Sequence, residues 1–245
     1  CFWLCRSTGP HLGYDTIYFS FIMAVNGYYF KTKTFKLGLN VAKVEHVLRA
    51  PCATPREDWR YGALTPERRS ELRVFFPEQP TPAAVLVPIV EHHTGLTILL
   101  TRRADHLSQH PGQISFPGGR VDPLDRDITS AALRETEEEI GLPRTRIELA
   151  GFLPDHLIIS GYRVTPVVGF IQPGFDLQLD PAEVAEVFEM PLRHLLDERN
   201  HVRRRRHFQG SEVELTDVPF GPHHIWGATA GMLLTLYRVL RGEDR

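Results

Sequence analysis

The stretch GGRVDPLDRDITSAALRETEEEIGL, at 118–142, joins a pair of glycines to an acidic segment of helical composition. The helical part runs from Ser130 to Ile140, and Thr129 or Asp127 can cap its N-terminus. Gly141 can supply the left-handed residue that ends a helix. The stretch therefore predicts one short helix that begins after a loop rich in aspartate.

Four glutamates lie within the last two turns of this helix: Glu135, Glu137, Glu138 and Glu139. Acidic side chains near a helix C-terminus oppose the helix dipole, and Glu135 faces Glu138 and Glu139 at spacings of three and four residues. Each effect costs roughly a few tenths of a kcal/mol at an exposed position. We therefore expect a positive charge against that face, whereas Glu137 should point to solvent.

A divalent cation would supply that charge. Mg²⁺ prefers oxygen ligands and is usually bound by a few carboxylates, waters and substrate phosphates. The alternative is an ordinary charged surface helix that Arg134 and other basic residues neutralise, and the glutamates alone favour this alternative. The Phe-Pro-Gly-Gly segment just upstream shifts the balance toward a site, since glycines let the backbone approach a ligand or the helix closely.

The chain has 245 residues, of which 42% are hydrophobic and 24% charged, as in an ordinary globular protein. A net charge of −2 gives no global attraction to nucleic acid or to an anionic membrane, so local groups or a metal must hold any anionic substrate. The three cysteines cannot all pair and have no metal-site spacing, which favours a reducing compartment, and we expect the cytoplasm.

The chain divides into three predicted parts: 1–22, a non-native or disordered leader; 23–82, an N-terminal helical extension and linker; and 83–242, the main domain. The apolar run at 16–25 is too short to span a bilayer and lacks the flanks of a signal peptide. A short membrane-associating leader is the alternative for this run.

In the extension, helical spacing and a Thr-Pro start predict helices over 39–52 and 64–76, and 77–82 is interpreted as a turn or linker. In the main domain, β-rich runs predict strands at 83–92, 96–103, 146–154, 163–171 and 184–192, and a hairpin at 203–209 and 211–218. Helices are predicted at 130–140, 191–198 and 225–240. Because strands outnumber helices, we expect an α+β fold, a mixed sheet with helices on its faces.

The acidic segment resembles the Nudix box, G-x₅-E-x₇-R-E-U-x-E-E-x-G-U, in which U is an apolar residue. The matching positions are Arg134, Glu135, Glu138, Glu139, Gly141 and Leu142. Thr136 replaces the first U, and the gap from Gly119 to Arg134 is one residue longer than usual. The early glutamate is not carried over, because the gap contains only aspartates: Asp122, Asp125 and Asp127.

The longer gap is similar to that of the Nudix subfamily that hydrolyses coenzyme A, the CoA pyrophosphatases. This subfamily also carries the upstream signature L-L-T-x-R-S-x₃-R-x₃-G-x₃-F-P-G-G, and the chain has LLTRRADHLSQHPGQISFPGG over 99–119. Ala104 replaces the serine and Ser108 the second arginine, a loss that Arg102 or His110 would have to compensate. The resemblance covers roughly 83–240.

The resemblance implies a Nudix-type α-β-α sandwich that uses Mg²⁺ or Mn²⁺ to hydrolyse the diphosphate of coenzyme A or acyl-CoA. The products would be adenosine 3′,5′-bisphosphate and (acyl-)4′-phosphopantetheine. The implied metal ligands are Glu135, Glu138 and Glu139. The implied catalytic residues are Glu138, Glu139 and Arg134. The implied substrate-binding residues are Arg102, Arg103, Gly118 and Gly119.

Several roles stay open at this point. Glu138 is either a metal ligand or the base, and Arg134 either takes part in catalysis or pairs with a carboxylate to fix the helix. Arg103 is either a phosphate contact or a solvated strand end. An extra metal ligand could come from acids that are more often exposed loop residues: Asp155, Glu183 and Glu186.

Two other functions compete with CoA hydrolysis. One is hydrolysis of another nucleoside diphosphate derivative, and the other is a non-catalytic, nucleotide-binding Nudix-like module. In each case the expected partner is a small molecule, with no nucleic acid and no membrane, and the chain could form a homodimer. The arginine run at 203–206 is interpreted mainly as a solvated strand, and 223–226 as a packed start of the last helix.

Overall fold

The computed structural model describes residues 78–158, 160–208 and 211–241, together with a separate pair of short strands, β1 (Ile22–Val25) and β2 (Tyr28–Lys31). The helices predicted at 39–52 and 64–76 lie outside the described residues. The division of the chain at 22 and 82 therefore stays a prediction.

One eight-stranded mixed sheet forms the centre of the described domain. Its strands are β3 (Thr81–His92), β4 (Gly95–Arg103), β5 (Ile114–Ser115), β6 (Gly118–Arg120), β7 (Ile147–Phe152), β8 (His156–Leu157), β9 (Tyr162–Ile171) and β10 (Val184–Pro191). The main order is β10-β4-β3-β9-β7, and the three short strands β5, β6 and β8 pair with β4, β3 and β9. The pairing of β3 with β9 is parallel and the others are antiparallel.

Both faces of the sheet are apolar. Along β3, buried apolar side chains point alternately to one face of the sheet and to the other. Ala84 and Leu86 pack with helix α1 (Ile128–Ile140) on one face, whereas Val87 and Ile89 belong to the core under helix α3 (Gly227–Arg241) on the other. A side-chain period of two thus places one helix on each face. The predicted α-β-α sandwich with a mixed sheet is confirmed.

The helices and strands predicted for the main domain are present, with small changes at their ends. The short helix after Pro191 is α2 (Leu192–Leu196), and the predicted hairpin consists of β11 (Val202–Phe208) and β12 (Ser211–Asp217). None of the described helices is long and apolar enough to cross a membrane.

The interpretation of 77–82 as a linker is wrong at its end, because Thr81 and Pro82 already belong to β3. Thr81 N–H donates to the carbonyl of Gly161 at 2.9 Å, and Val121 N–H donates to the carbonyl of Pro82 at 3.1 Å. Proline is tolerated at the start of a strand, where its missing N–H breaks no essential ladder bond.

The arginine run is only half solvated. Arg203 and Arg205 point outward, whereas Arg204 and Arg206 turn toward Asp217, which has no exposed side-chain surface. Asp217 accepts hydrogen bonds from Arg206 Nη2 at 3.0 Å and His224 Nε2 at 2.8 Å, and it forms an ion pair with Arg204, whose Nε lies 3.1 Å away. This buried carboxylate anchors the base of the hairpin to the chain segment before α3.

His156 provides a test of the packing beneath α3. Its ring is buried and lies 3.2 Å from Thr235 Oγ1, and burial, assisted by the charge of Arg238, lowers the pKa of His156 from 6.5 to about 4. The unfolded chain therefore binds the proton more tightly than the folded chain, and His156 makes stability fall as the pH drops from 6.5 towards 4. We expect a His156→Gln variant to lose less stability than the wild type over this window, measured by urea unfolding. A variant with the same pH dependence as the wild type would contradict the placement of this ring.

Candidate active site

Helix α1 has well-defined caps. Its first turn is capped by Asp127, whose Oδ1 accepts from Ser130 N–H at 2.7 Å, so Asp127 rather than Thr129 fills this role. Gly141 ends the helix with a left-handed φ of 68°, as the sequence predicts. The caps fix which residues of the acidic stretch face the sheet.

Glu139 is the most deeply buried of the four glutamates, with 4% of its surface exposed. Its Oε2 accepts a hydrogen bond from Gly118 N–H at 3.1 Å. Burial raises the pKa of Glu139 from 4.5 to about 8, and the charges of Glu183 and Glu135 act in the same direction. A buried acid with so raised a pKa is typical of a functional site.

Glu135 lies one turn earlier and presses against the glycine pair. A Cβ on Gly119 would come within 2.5 Å of Glu135 Oε2, and a Cβ on Gly118 would lie 2.3 Å from the carbonyl oxygen of Ala84. Gly118 also has a φ of 149°, which side chains rarely adopt. Gly118 is therefore needed for the close approach to β3, whereas Gly119 leaves room for the carboxylate of Glu135 in its present position. Burial also raises the pKa of Glu135, although Arg134 opposes the shift.

Arg134 supplies the positive charge that the sequence predicts for this face. Its Nη1 lies 2.9 Å from both Glu135 Oε1 and Glu138 Oε2, and its Nε and Nη2 lie 3.0 and 2.9 Å from the two oxygens of Asp125. The hydrogen bond with Asp125 is the main reason that the pKa of Arg134 is raised. These contacts fix the helix against the preceding loop, as the positioning alternative predicts.

Sequence reasoning left the identity of this loop acid open. Asp125 is six residues after Gly119, the distance at which the box places its glutamate, so the extra residue of this chain falls between Asp125 and Arg134. The Asp125 side chain is 6% exposed, and its hydrogen bond to Arg134 lowers its pKa. Counting forward from Gly119 identifies Asp125 as the residue at the glutamate position of the box, whereas counting back from Arg134 does not.

The two remaining glutamates of the helix face outward. Glu138 is 60% exposed and shares Arg134 with Glu135. Glu137 points to solvent, as predicted, but also forms an ion pair with Arg144 at 2.7 Å. Only Glu135 and Glu139 therefore lie against the glycine pair, and Glu138 borders the same face from the solvent side.

The three later acids have different surroundings. Glu183 lies in a turn that is bonded to the end of α1, since Asp180 N–H donates to the carbonyl of Glu139 at 2.9 Å and Glu183 N–H donates to the carbonyl of Asp180 at 3.0 Å. Asp155 instead accepts from Thr165 Oγ1 at 2.6 Å. Glu186 lies between Arg102 Nε at 3.3 Å and His223 Nε2 at 3.5 Å. The structure thus brings one of the three acids, Glu183, to the acidic helix.

The two arginines at the end of β4 point to opposite faces of the sheet. The charge of Arg103 acts on Glu139, and its Nε is buried without a hydrogen-bond partner among the described residues. Arg102 bonds to Asp105 at 2.8 Å and to Glu186, so its guanidinium is already engaged away from α1. Of the predicted substrate arginines, only Arg103 accompanies the acids.

The donor set fits a hard divalent cation in part. Glu135 and Glu139 offer carboxylate oxygens whose charge the protein leaves incompletely compensated, as their raised pKa values indicate. Within 78–158, 160–208 and 211–241, no group of three or more His, Cys, Asp or Glu side chains is arranged to hold a metal ion by itself. Mg²⁺ needs no such cage, because waters and substrate phosphates normally complete its coordination.

Removing the Asp125 carboxylate should loosen the loop. We expect Asp125→Ala to lower the free energy of unfolding by about 1–3 kcal/mol, because Arg134 loses its two-oxygen partner. Arg126→Ala, on the exposed part of the same loop, should stay within about 0.5 kcal/mol of the wild type. Urea unfolding measures both, and equal effects would contradict the role of Asp125.

Glu139 should destabilise the metal-free protein at alkaline pH. Because its pKa rises from 4.5 to about 8 on folding, the folded state holds the proton more tightly, and stability falls as the pH rises between these values. In EDTA, Glu139→Gln should therefore melt at least about 2–4 °C above the wild type at pH 8 and close to it at pH 5. Glu137→Gln, on the solvent face, serves as the control in calorimetry. A wild type as stable as Glu139→Gln at pH 8 would contradict the buried charge.

Comparison with known proteins agrees with this geometry. Residues 80–209, more than half of the chain, match the profile of the NUDIX domain. A protein of Enterobacter sp. (strain 638), named "Uncharacterized Nudix hydrolase NudL", is 42% identical over 158 residues, which are 63% of this chain and 80% of that protein. The protein of the same name from Escherichia coli O1:K1 / APEC is 41% identical over 155 residues, with the same coverage.

Among solved structures, the MutT protein from Methanosarcina mazei Go1 aligns with a TM-score of 0.45 and 20% identity, over 69% of this chain and 99% of that chain. The residues matched by the profile include the glycine pair and the acidic helix that carry the site. The chain belongs to the Nudix hydrolase family.

Proposed function

We propose that this Nudix hydrolase cleaves the diphosphate bond of coenzyme A or acyl-CoA in the presence of Mg²⁺ or Mn²⁺. The observation that carries the proposal is the pair of carboxylates, Glu135 and Glu139, held against Gly118 and Gly119 with Arg103 beside them. The choice of coenzyme A rests on the signature at 99–119, whose last two residues are Gly118 and Gly119.

The bound cation would neutralise the diphosphate and stabilise the charge that develops on its oxygens. Glu135 and Glu139 are the proposed ligands, and the N–H of Gly118 holds the carboxylate of Glu139 in place. Glu138 is the proposed base, or a further ligand, because it borders this face while remaining 60% exposed to water. Arg134 holds Glu135 and Glu138 relative to the loop and has no separate chemical step in this scheme.

Water would attack one phosphorus atom of the diphosphate. A new P–O bond forms to the water oxygen, and the bridging P–O bond breaks. A carboxylate takes the proton from the water, and adenosine 3′,5′-bisphosphate and (acyl-)4′-phosphopantetheine leave. Burial would exclude water from the attacked group. Charged contacts to that group are stronger where water is excluded.

Arg103 is the proposed phosphate contact, since its charge acts on Glu139 and its buried Nε has no hydrogen-bond partner among the described residues. Gly118 and Gly119 would let the substrate approach the backbone. Arg102 remains a predicted substrate-binding residue. Its bonds to Asp105 and Glu186 instead favour a structural role, in which Arg102 holds the loop that follows β4. The proposed location is the cytoplasm and the proposed partner a small molecule.

One observation keeps a second substrate class open. Ser108, which stands where the signature has an arginine, is exposed, so the loop lacks that cation. Another nucleoside diphosphate derivative, with fewer phosphates to recognise, is therefore the second proposed substrate. A binding module without turnover is a weaker alternative, because binding alone does not require a buried acid that opposes stability.

The test is a product analysis by chromatography with mass detection. Wild-type protein with CoA and Mg²⁺ or Mn²⁺ at mildly alkaline pH should release adenosine 3′,5′-bisphosphate and 4′-phosphopantetheine. We expect Glu139→Gln to lower the rate by at least about 100-fold, and Glu137→Gln to change it by less than about threefold. CoA left intact under both metals would exclude CoA as the substrate and would direct the assay to other nucleoside diphosphates. Inactivity with all of them would favour the binding module.

A further inference from the structure

The four arginines of β11 divide between the two faces of the hairpin, and acids compensate the two faces differently. On the outer face each arginine has a carboxylate of its own, at 3.8 Å in both pairs: Arg203–Glu214 and Arg205–Glu212. On the inner face, Arg204 and Arg206 share the single carboxylate of Asp217. No other carboxylate of the described residues forms an ion pair with these two arginines. The inner face therefore keeps one uncompensated positive charge.

Asp217 holds the two inner arginines in fixed positions. Its side chain has no exposed surface, and its Oδ2 lies 3.1 Å from Arg204 Nε and 3.0 Å from Arg206 Nη2. The guanidinium carbon of Arg206 also lies 4.5 Å from the ring centroid of Trp226, a cation–π contact that restricts the side chain further. Side chains that buried neighbours hold in place lose little freedom when they bind a ligand.

The inner arginines also have donors to offer. The Arg204 side chain is 54% exposed and donates no hydrogen bond to a described residue. Arg206 bonds to Asp217 through Nη2 alone, and its Nε is buried without a partner among the described residues. Two planar guanidinium groups beside an uncompensated charge are the chemistry that binds a phosphate group.

The inner face is connected to the end of the sheet that carries Arg103. His223, which precedes His224 in the chain, has its Nε2 at 3.5 Å from Glu186, and Glu186 accepts from Arg102 Nε at 3.3 Å. Arg102 and Arg103 are the last two residues of β4. The segment that leads from the hairpin to α3 therefore contacts the strand end at which the candidate active site begins.

We propose that the inner face of the hairpin is a second anion site, which binds a phosphate group through Arg204 and Arg206. Asp217 and Trp226 position these arginines and do not contact the ligand. Two sources can supply the same chemistry: a nucleotide that carries a second phosphate on its ribose, or free inorganic phosphate. The site is separate from the acidic helix, and it does not require coenzyme A to be the substrate.

The experiment is an NMR titration of protein with ¹⁵N-labelled tryptophan, in EDTA and at constant ionic strength. The indole N–H signal of Trp226, assigned with Trp226→Phe, reports on the site because this ring lies against Arg206. Inorganic phosphate and adenosine 3′,5′-bisphosphate should each shift the signal in a saturable way. Arg204→Gln should weaken this binding at least about fivefold, because it removes a charged donor. Tighter binding of the bisphosphate than of both inorganic phosphate and AMP identifies a nucleotide as the source, whereas equal binding of inorganic phosphate and the bisphosphate identifies free phosphate.

Arg203→Gln is the matched control, because it removes the same charge from the adjacent residue on the outer face, where Glu214 compensates it. It should change the affinity by less than about twofold. Circular dichroism should show all variants folded. No saturable shift with any of the three probes, or equal weakening by Arg203→Gln and Arg204→Gln, would overturn the proposal. Intact CoA in the product assay would leave this result standing, since the titration measures binding without turnover.

Discussion

Glu139 is a carboxyl group that the fold places almost out of contact with water, near Glu135 and at the end of a helix whose dipole opposes its ionised form. Burying an unpaired charge is expensive, and a protein normally avoids it or shifts the pKa of the group. The surrounding structure compensates the ionised form of Glu139 only in part. Gly118 donates one N–H to its carboxyl group and the charge of Arg103 favours the ionised form, whereas Arg134 is committed to Asp125, Glu135 and Glu138.

The sheet makes this arrangement possible. Short strand β6 pairs with β3, where Gly118 permits the close approach to Ala84 and Val85 and Gly119 leaves room for the carboxylate of Glu135. Asp125 and Arg134 then fix the loop between β6 and α1, so that the helix cannot rotate its acids away from the glycines. The acidic face lowers the stability of the metal-free protein. Such a loss of stability is expected at a site that functions with a bound cation.

Local signals in the sequence were sufficient for most elements. Caps at Asp127 and Gly141 and the apolar alternation of β3 depend on neighbours in the chain, so helix and strand limits could be predicted closely. Pro82 was misinterpreted because proline usually marks a turn, and only the pairing with β9 shows that β3 begins before it. Long-range pairing decides such cases, and a single sequence does not contain it.

The site was predictable where a motif fixes spacing. Glu135 and Glu139 lie where the box implies, whereas Asp125 was obscured by the extra loop residue. The contribution of Glu183 depends on a turn that bonds to α1 through backbone atoms, which leave no pattern in side-chain identity. Arg102 and Arg103 are neighbours in sequence, yet strand alternation sends them to opposite faces. The structure was needed to separate them.

The most direct measurement is the pKa of Glu139 itself, followed by NMR of protein with ¹³C-labelled glutamate side chains. We predict that the pKa lies near 8 in the metal-free protein and falls well below its ordinary value when Mg²⁺ is added, because the cation stabilises the ionised carboxylate. A pKa near 4.5 without metal, or a raised pKa that Mg²⁺ does not change, would contradict the central claim that this buried acid belongs to a cation site.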